Sequence, residues 1–346
     1  MRDQCGLLKN YWYAACLSKE LKALPIRREI MEMPIVLWRA QDGAVTALLD
    51  RCCHRNAPLS KGTIKDDCIV CPYHSWKYNA EGCCVEIPSE GPNQQRSSKS
   101  IIEKFPLIER DGLVWVWMGK NVPPDQEPFA MPLGDSSGWH HYYMTTLFDN
   151  DVTNLVENFM DVPHTISVHK GWFRSERKIA VPTTIERTEH SVEIAYNQKN
   201  DSIGFTEKLL NPKGLPMVHT DKFFMPNLTR VDYIFGDYER ALIITSTCTP
   251  ISAYKTIVYT LISYKLGWFN AVAKIILPFY TRKVIDQDVW IMEIQGKNLQ
   301  KFKKAEFMST AVDTMHLYIE SLRQWAEEGG ANSRPRPIKK NIDFWI

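Results

Sequence analysis

The sequence predicts an α+β chain: a β-rich N-terminal domain over residues 1–120, a mixed domain of strands and helices over 121–330, and a tail over 331–346. Three observations carry this division. Short runs rich in β-branched and aromatic residues flank two Cys/His clusters in the first third. Consecutive prolines, Pro123-Pro124, then interrupt helix and sheet alike. Beyond them, several strand-like runs give way to a long helical pattern.

In chain order, Pro34–Trp38 and Val45–Leu49 read as strands joined by a turn at Gln41-Asp42-Gly43, and Leu113–Trp117 as a strand ending at Met118-Gly119. In the second domain Tyr142–Phe148 reads as a strand, Val152–Val162 as a helix, and Arg230–Phe235, Ala241–Ser246 and Ile257–Ser263 as further strands. Trp268–Leu277 reads as an amphipathic helix ending before Pro278. A longer helical pattern, Arg282–Glu328, is broken near Gly296 and stopped by Gly329-Gly330. The last residues, polar, basic and proline-containing, read as a tail.

Composition excludes several classes. A net charge of +2 over 346 residues, with no Lys/Arg run interleaved with aromatics, argues against a nucleic-acid binder. Lys265 and Lys274 interrupt the apolar stretch Ile257–Tyr280, leaving no run near the ~20 residues a spanning helix needs. The apolar and lysine faces of the Trp268 helix also suit a peripheral membrane contact. Met1–Leu8 lacks the apolar core of a signal peptide, so a reducing, cytoplasmic location is expected. Cys5, Cys16, Cys83, Cys84 and Cys248 then read as small buried apolar groups.

The chemistry starts at Cys52-Cys53-His54 and Cys71-Pro72-Tyr73-His74, a C-x-H followed by a C-x2-H. Two thiolates and two imidazoles are the ligand set of a Rieske [2Fe-2S] cluster, with cysteines on one iron and histidines on the other. The same four residues also suit tetrahedral zinc. Zinc fingers usually pair Cys with Cys and His with His, whereas each loop here gives one of each, which favours the cluster.

A second constellation lies at Asn158, Asp161, His164 and His169. Two histidines plus a later carboxylate would make a facial triad that leaves iron positions open. Residues five apart on a straight helix sit about 140° around the axis. Pro163 therefore implies a helix that distorts or ends, bringing both imidazoles to one centre. Asp161, three positions before His164, is expected on the same helical face, orienting that ring. The third ligand must come from Asp286, Asp288 or Glu293, which an ordinary solvated helix face would equally explain.

These motifs resemble the catalytic (alpha) subunits of Rieske non-haem iron oxygenases. Arg55–Leu59 and Ser75-Trp76 match the cluster flanks, and Asn158, Asp161, His164 and His169 match the family's N-x2-D-x2-H-x4-H. The resemblance selects Asp288, five residues before Glu293, as the third iron ligand. It implies a β Rieske domain followed by a helix-grip domain, an antiparallel sheet with helices, and a [2Fe-2S] cluster beside a mononuclear Fe(II). It also implies a catalytic role for Asp161 and Asn158, with Asp161 bridging to a Rieske histidine of a neighbouring subunit in a ring of three. Tyr73 stands where high-potential relatives carry an extra cysteine, so a low-potential centre is expected, with Cys53 and Cys68 unpaired. Ser75 replaces the glycine usual after the second cluster histidine.

The implied reaction is O2-dependent hydroxylation, demethylation or desaturation of a small organic, hydrophobic or aromatic substrate, monooxygenation being favoured over dioxygenation. With no G-x-G-x-x-G and no plant-type iron–sulfur motif, electrons must come from a ferredoxin or flavin-dependent reductase. Lys170, Arg174, Arg177 and Lys178 are a docking candidate for such a carrier. Phe205, Phe223, Phe224, Met225, Tyr233, Phe235, Trp268 and Phe269 are candidate pocket residues. An electron-transfer or redox-sensing protein would account for the first domain alone, and a zinc-stabilised binding module for neither iron site.

Overall fold

The computed structural model describes residues 6–345 except 92–100, 121–125, 135–136, 173–178, 197–206, 208–209, 303–305 and 331–332. The chain forms two compact units, Lys9–Ala130 and Met131–Ile346, the latter joined by the chain's first residues to Leu8. The boundary therefore falls some ten residues after the expected 120/121. Trp12 draws the later segment into the first unit, since its indole Nε1 donates to the Gln126 carbonyl at 3.0 Å.

Among the described residues, the first unit holds three small antiparallel sheets. β1 (Trp12–Leu17), β10 (Leu113–Trp117) and β9 (Leu107–Arg110) form one, in the order β1-β10-β9. β2 (Ile26–Ile30), β3 (Met33–Arg39) and β4 (Val45–Leu49) form a second. β5 (Thr63–Lys65), β6 (Cys68–Val70), β7 (Lys77–Tyr78) and β8 (Cys84–Glu86) form the third. Val36, Trp38, Leu48, Ile69 and Tyr78 pack around Cys52 and Cys71, so the two cluster loops rest on an apolar floor.

The second unit is built on one eight-stranded antiparallel sheet, ordered β11-β17-β16-β15-β14-β13-β12-β18. Its strands are β11 (His140–Phe148), β12 (Ala180–Arg187), β13 (Ser191–Tyr196), β14 (Met217–Phe224), β15 (Leu228–Phe235), β16 (Arg240–Ser252), β17 (Lys255–Lys265) and β18 (Ile338–Trp345). Helices α1 (Val152–Met160), α2 (Asn270–Phe302) and α3 (Thr314–Glu327) accompany it. Val152, Leu155, Val156 and Met160 of α1 share a core with Ile319 and Leu322 of α3 and sheet residues such as Val192 and Ile194. The α+β reading, a β domain followed by an antiparallel sheet with helices, holds.

Three expectations are corrected. Residues 338–345 are not tail: β18 pairs antiparallel with β12, from Ala180↔Trp345 to Arg187↔Ile338. Ile342 and Phe344 alternate onto the core face, a period-two signal masked by the intervening Lys and Asp. Pro278 does not end a helix, because α2 runs through it. The carbonyl its missing N–H leaves free belongs to Lys274, an exposed residue, so the lost hydrogen bond falls on the solvent side of the helix. Gly296 breaks nothing either. It is buried within α2, where an added Cβ would lie 2.2 Å from the Asp149 carbonyl oxygen, so glycine permits a close approach. The helical pattern is interrupted later, between Phe302 and Thr314. No helix among the described residues is long and apolar enough to cross a membrane.

Candidate metal centres

The first cluster loop follows β4, and the second links β6 to β7. They share one backbone pattern. Cys52 N–H donates to the Ala57 carbonyl and Asn56 N–H to the Cys52 carbonyl, both at 2.9 Å. Cys71 N–H donates to the Trp76 carbonyl at 2.8 Å and Ser75 N–H to the Cys71 carbonyl at 3.1 Å. In each loop the residue four after the cysteine is left-handed, Asn56 and Ser75 both at φ 59°. That explains why glycine suits the Ser75 position.

The four expected cluster residues converge. Cys52 and Cys71 are buried, His54 is half-buried and His74 exposed, with the imidazole centroids 4.6 Å apart. Trp76 stacks on His54 at 4.6 Å and 7°. His54 Nδ1 is buried without a hydrogen-bond partner, an orphan that a metal would satisfy. Burial pushes the Cys71 thiol up, while the Tyr73 and His74 backbone N–H groups aimed at its sulfur pull the other way. The Tyr78 hydroxyl lies 3.1 Å from Cys52 Sγ and 3.3 Å from Cys53 Sγ. No trio from the four donors falls within 4.8 Å, among the described residues. One tetrahedral zinc, with bonds of about 2.0–2.3 Å, would need a tighter cluster.

In the second unit, Asp151 caps α1 by accepting from Thr153 and Asn154 N–H at 2.9 and 3.0 Å. The helix stops at Met160, and Asp161 turns to extended backbone (φ −86°, ψ 99°) before a 3-10 turn, Pro163–Ile166, that carries His164. Asp161 is thus a helix C-cap rather than a partner on the same helical face. Its backbone carbonyl accepts from His164 Nδ1, while its carboxylate lies 3.7 Å away. His169 Nδ1–H donates to Gln287 Oε1 at 2.9 Å. Both imidazoles are therefore held with Nε2 turned to one point.

At that point stands Asp288 of α2. Its Oδ1 lies 3.4 Å from His164 Nε2 and 3.3 Å from His169 Nε2, and the two nitrogens are 3.2 Å apart. A nearly equilateral triangle of this size fits three donors about 2 Å from a single ion, seated on one face of it. Burial alone would depress the His164 imidazole, but Asp161 and Asp288 outweigh it and raise it to about 9. Burial alone would raise Asp288, yet His164 and His169 bring it down to about 2. The centre favours a positive charge, which suits a cation.

Asn158 Nδ2 donates to Asp288 Oδ1 at 3.2 Å, so that side chain braces the carboxylate. The alternative acids point elsewhere: Asp286 is 54% exposed and pairs with Arg282 at 3.9 Å, and Glu293 pairs with Lys297. A cavity of about 160 Å³ opens onto the trio, walled by Met144, Val231, Ile244, Ile262, Leu277 and Ile285.

Residues 148–328, more than half of the chain, match the family described as the vanillate O-demethylase oxygenase C-terminal domain, and residues 11–106 match the Rieske [2Fe-2S] domain. The chain belongs to the Rieske oxygenases. It is 33% identical over 182 residues to the toluene-4-sulfonate monooxygenase system iron-sulfur subunit TsaM1 of Comamonas testosteroni, covering 52% of each chain. It is 35% identical over 189 residues to the oxygenase component of dicamba O-demethylase from Stenotrophomonas maltophilia, covering 50% of this chain and 53% of the other. The chain spans about half the length of the curated relatives it matches. In fold it is similar to dicamba monooxygenase bound to dicamba, with TM-score 0.78, 20% identity and coverage of 94% and 99%. Pseudomonas putida NdmA with caffeine gives 0.75, 21% and 96% of each chain.

Within this Rieske oxygenase, sequence reasoning missed Gln287. An amide next to Asp288 carries no motif of its own, and only its adjacency to a candidate ligand marked it. Of the candidate pocket residues, Tyr233 lines the cavity, whereas Phe223 and Phe235 are core and Trp268 is 81% exposed. Phe205, Arg174, Arg177 and Lys178 lie outside the described residues, and Lys170 is exposed.

Proposed function

We propose that the chain is the terminal oxygenase component of a multi-component monooxygenase. In this reading Cys52, His54, Cys71 and His74 hold the [2Fe-2S] cluster, and His164, His169 and Asp288 hold a mononuclear iron. The observation that carries it is the triangle of three metal-competent donors set in the wall of a largely apolar cavity. Iron bound there supplies O2-dependent oxidation of a C–H bond, leading to hydroxylation, demethylation or desaturation. The protein's share is positional. Asp161 and Gln287 fix the two rings, Asn158 braces Asp288, and the aliphatic walls exclude water and seat an organic molecule. A cavity of about 160 Å³ has room for on the order of ten water-sized groups, which indicates a small molecule.

The relatives' names, a monooxygenase system subunit and an oxygenase component, support a separate ferredoxin or flavin-dependent reductase and favour monooxygenation. The exposed imidazole edge of the cluster loops suits electron exit, and the Asp161 carboxylate suits a bridge to the cluster histidine of a neighbouring copy in a homotrimer. A cytoplasmic location goes with unpaired cysteines, among the described residues. A pure electron carrier would leave the donor triangle and the cavity without a role.

The deciding experiment is metal and acid-labile sulfide analysis of anaerobically purified chain, with EPR after reduction. About three irons and two sulfides per chain are expected, followed by oxygen uptake with a reductase. Two irons with no third, or zinc in their place, would overturn the proposal.

A further inference from the structure

The cavity wall carries one buried carboxylate outside the metal trio and its neighbour Asp161. Asp221 of β14 is 2% exposed and lines the cavity. Tyr196 Oη donates to its Oδ2 at 2.8 Å, and His219 Nε2 lies 3.2 Å from its Oδ1. His219 is fixed between two stacked rings, Tyr196 at 4.2 Å and Tyr233 at 4.5 Å. This is a built arrangement, with the carboxylate held rigidly by side chains that are themselves buried.

Asp232 of β15, whose register partner is Thr220 and not Asp221, lies on the other face of the sheet and is held differently. Asp232, equally buried, is neutralised by Arg230 at 2.6 Å and Lys222 at 3.1 Å. No Lys or Arg pairs with Asp221, and none lines the cavity, among the described residues. Asp221 instead rests on the Tyr196 hydroxyl and the His219 imidazole, and a further donor or positive charge that reaches its carboxylate would stabilise it. Each oxygen accepts one bond and retains a further lone pair.

We infer that Asp221 determines substrate specificity: the cavity takes a small molecule that offers a cationic or neutral N–H or O–H donor to Asp221, and it rejects organic acids. This rests on the oxygenase reading for the identity of the site and deepens it. Asp221 projects its carboxylate to the cavity and no Lys or Arg lines it, among the described residues, so a carboxylate or sulfonate finds no Lys or Arg partner there and meets a like charge at Asp221. Toluene-4-sulfonate, named for one relative, is an anion of the kind this cavity excludes.

The test is calorimetric titration of the iron-loaded chain, without reductant or turnover, with three probes on one ring isomer: naphthylmethylamine, naphthylmethanol and naphthoate. The amine and the alcohol are expected to bind at least about tenfold more tightly than naphthoate, the weight of one charge-assisted hydrogen bond. Asp221→Asn is expected to shrink the amine-to-naphthoate ratio by roughly the same factor, which a merely structural role would not do. Naphthoate binding as well as the amine, or no probe binding, overturns the assignment, and the wild-type series decides it even where the variant does not fold. Protein lacking cluster and iron on metal analysis would sink the oxygenase reading instead, whereas a reversed preference with both metals present sinks only the role of Asp221.

Discussion

At the residue scale, the acceptors behind the two imidazoles decide what the trio can bind. Gln287 Oε1 is the partner of His169 Nδ1, so Gln287→Ala is expected to lower retention of the mononuclear iron about 10–100-fold while leaving the cluster spectrum unchanged. Iron analysis beside EPR reads both. Asp161 behaves differently, because His164 is held by its main-chain carbonyl. Asp161→Ala should keep both metals and lose about 10–100-fold in turnover; loss of iron would show that the carboxylate, not the carbonyl, positions the ring. Ser75 occupies a left-handed position, so Ser75→Gly should stabilise the second cluster loop by about 1 kcal/mol, seen as a slower loss of the cluster's visible absorption on heating. The ligand candidates were legible in the sequence because Cys, His and Asp carry metal chemistry in their type and spacing. Gln287, the Asp161 carbonyl and Asp221 were not, because an amide, a main-chain oxygen and an isolated acid gain meaning only from what the fold sets beside them.

At the element scale, α2 is tied to the entrance of α1. Asn150 Nδ2 donates to the Met292 carbonyl at 2.8 Å and to Gln295 Oε1 at 2.9 Å, and Gly296 lies directly against Asp149. Gly296→Ala must push the helix away from that carbonyl. The expected cost is about 1–3 kcal/mol in thermal stability together with weaker iron retention, since Asp288 rides on the same helix. Unchanged values on both counts would show that α2 shifts freely. Strand β10 was read correctly because Val and Trp alternate there without interruption, and β4 because a short apolar run follows a Gln-Asp-Gly turn. The continuity of α2 was not, since Pro278 and Gly296 are helix breakers by propensity. Their effect is offset here by solvent exposure at one site and by tight packing at the other.

At the scale of the whole molecule, the large sheet closes with the last segment of the chain. Deleting residues 338–346 would uncover the edge of β12 and the core around Phe344, which is 2% exposed. The expected result is a loss of about 3 kcal/mol or more, a lower melting temperature and a tendency to aggregate through the bare strand edge, read by calorimetry and light scattering. A truncated chain that melts like the parent would make β18 dispensable. The two-domain plan was visible from residue patterning. This closing strand was not, because only every second residue of a basic segment faces inward. The single rod of α2 has one more consequence. Leu277 and Ile285 on it face the cavity, and Asp288 completes the donor triangle about three residues further on. A guest that presses on that wall cannot do so without leaning on the lever that carries the carboxylate. The cavity wall and the donor carboxylate thus share one helix, so whatever touches the one is in contact with the element that positions the other.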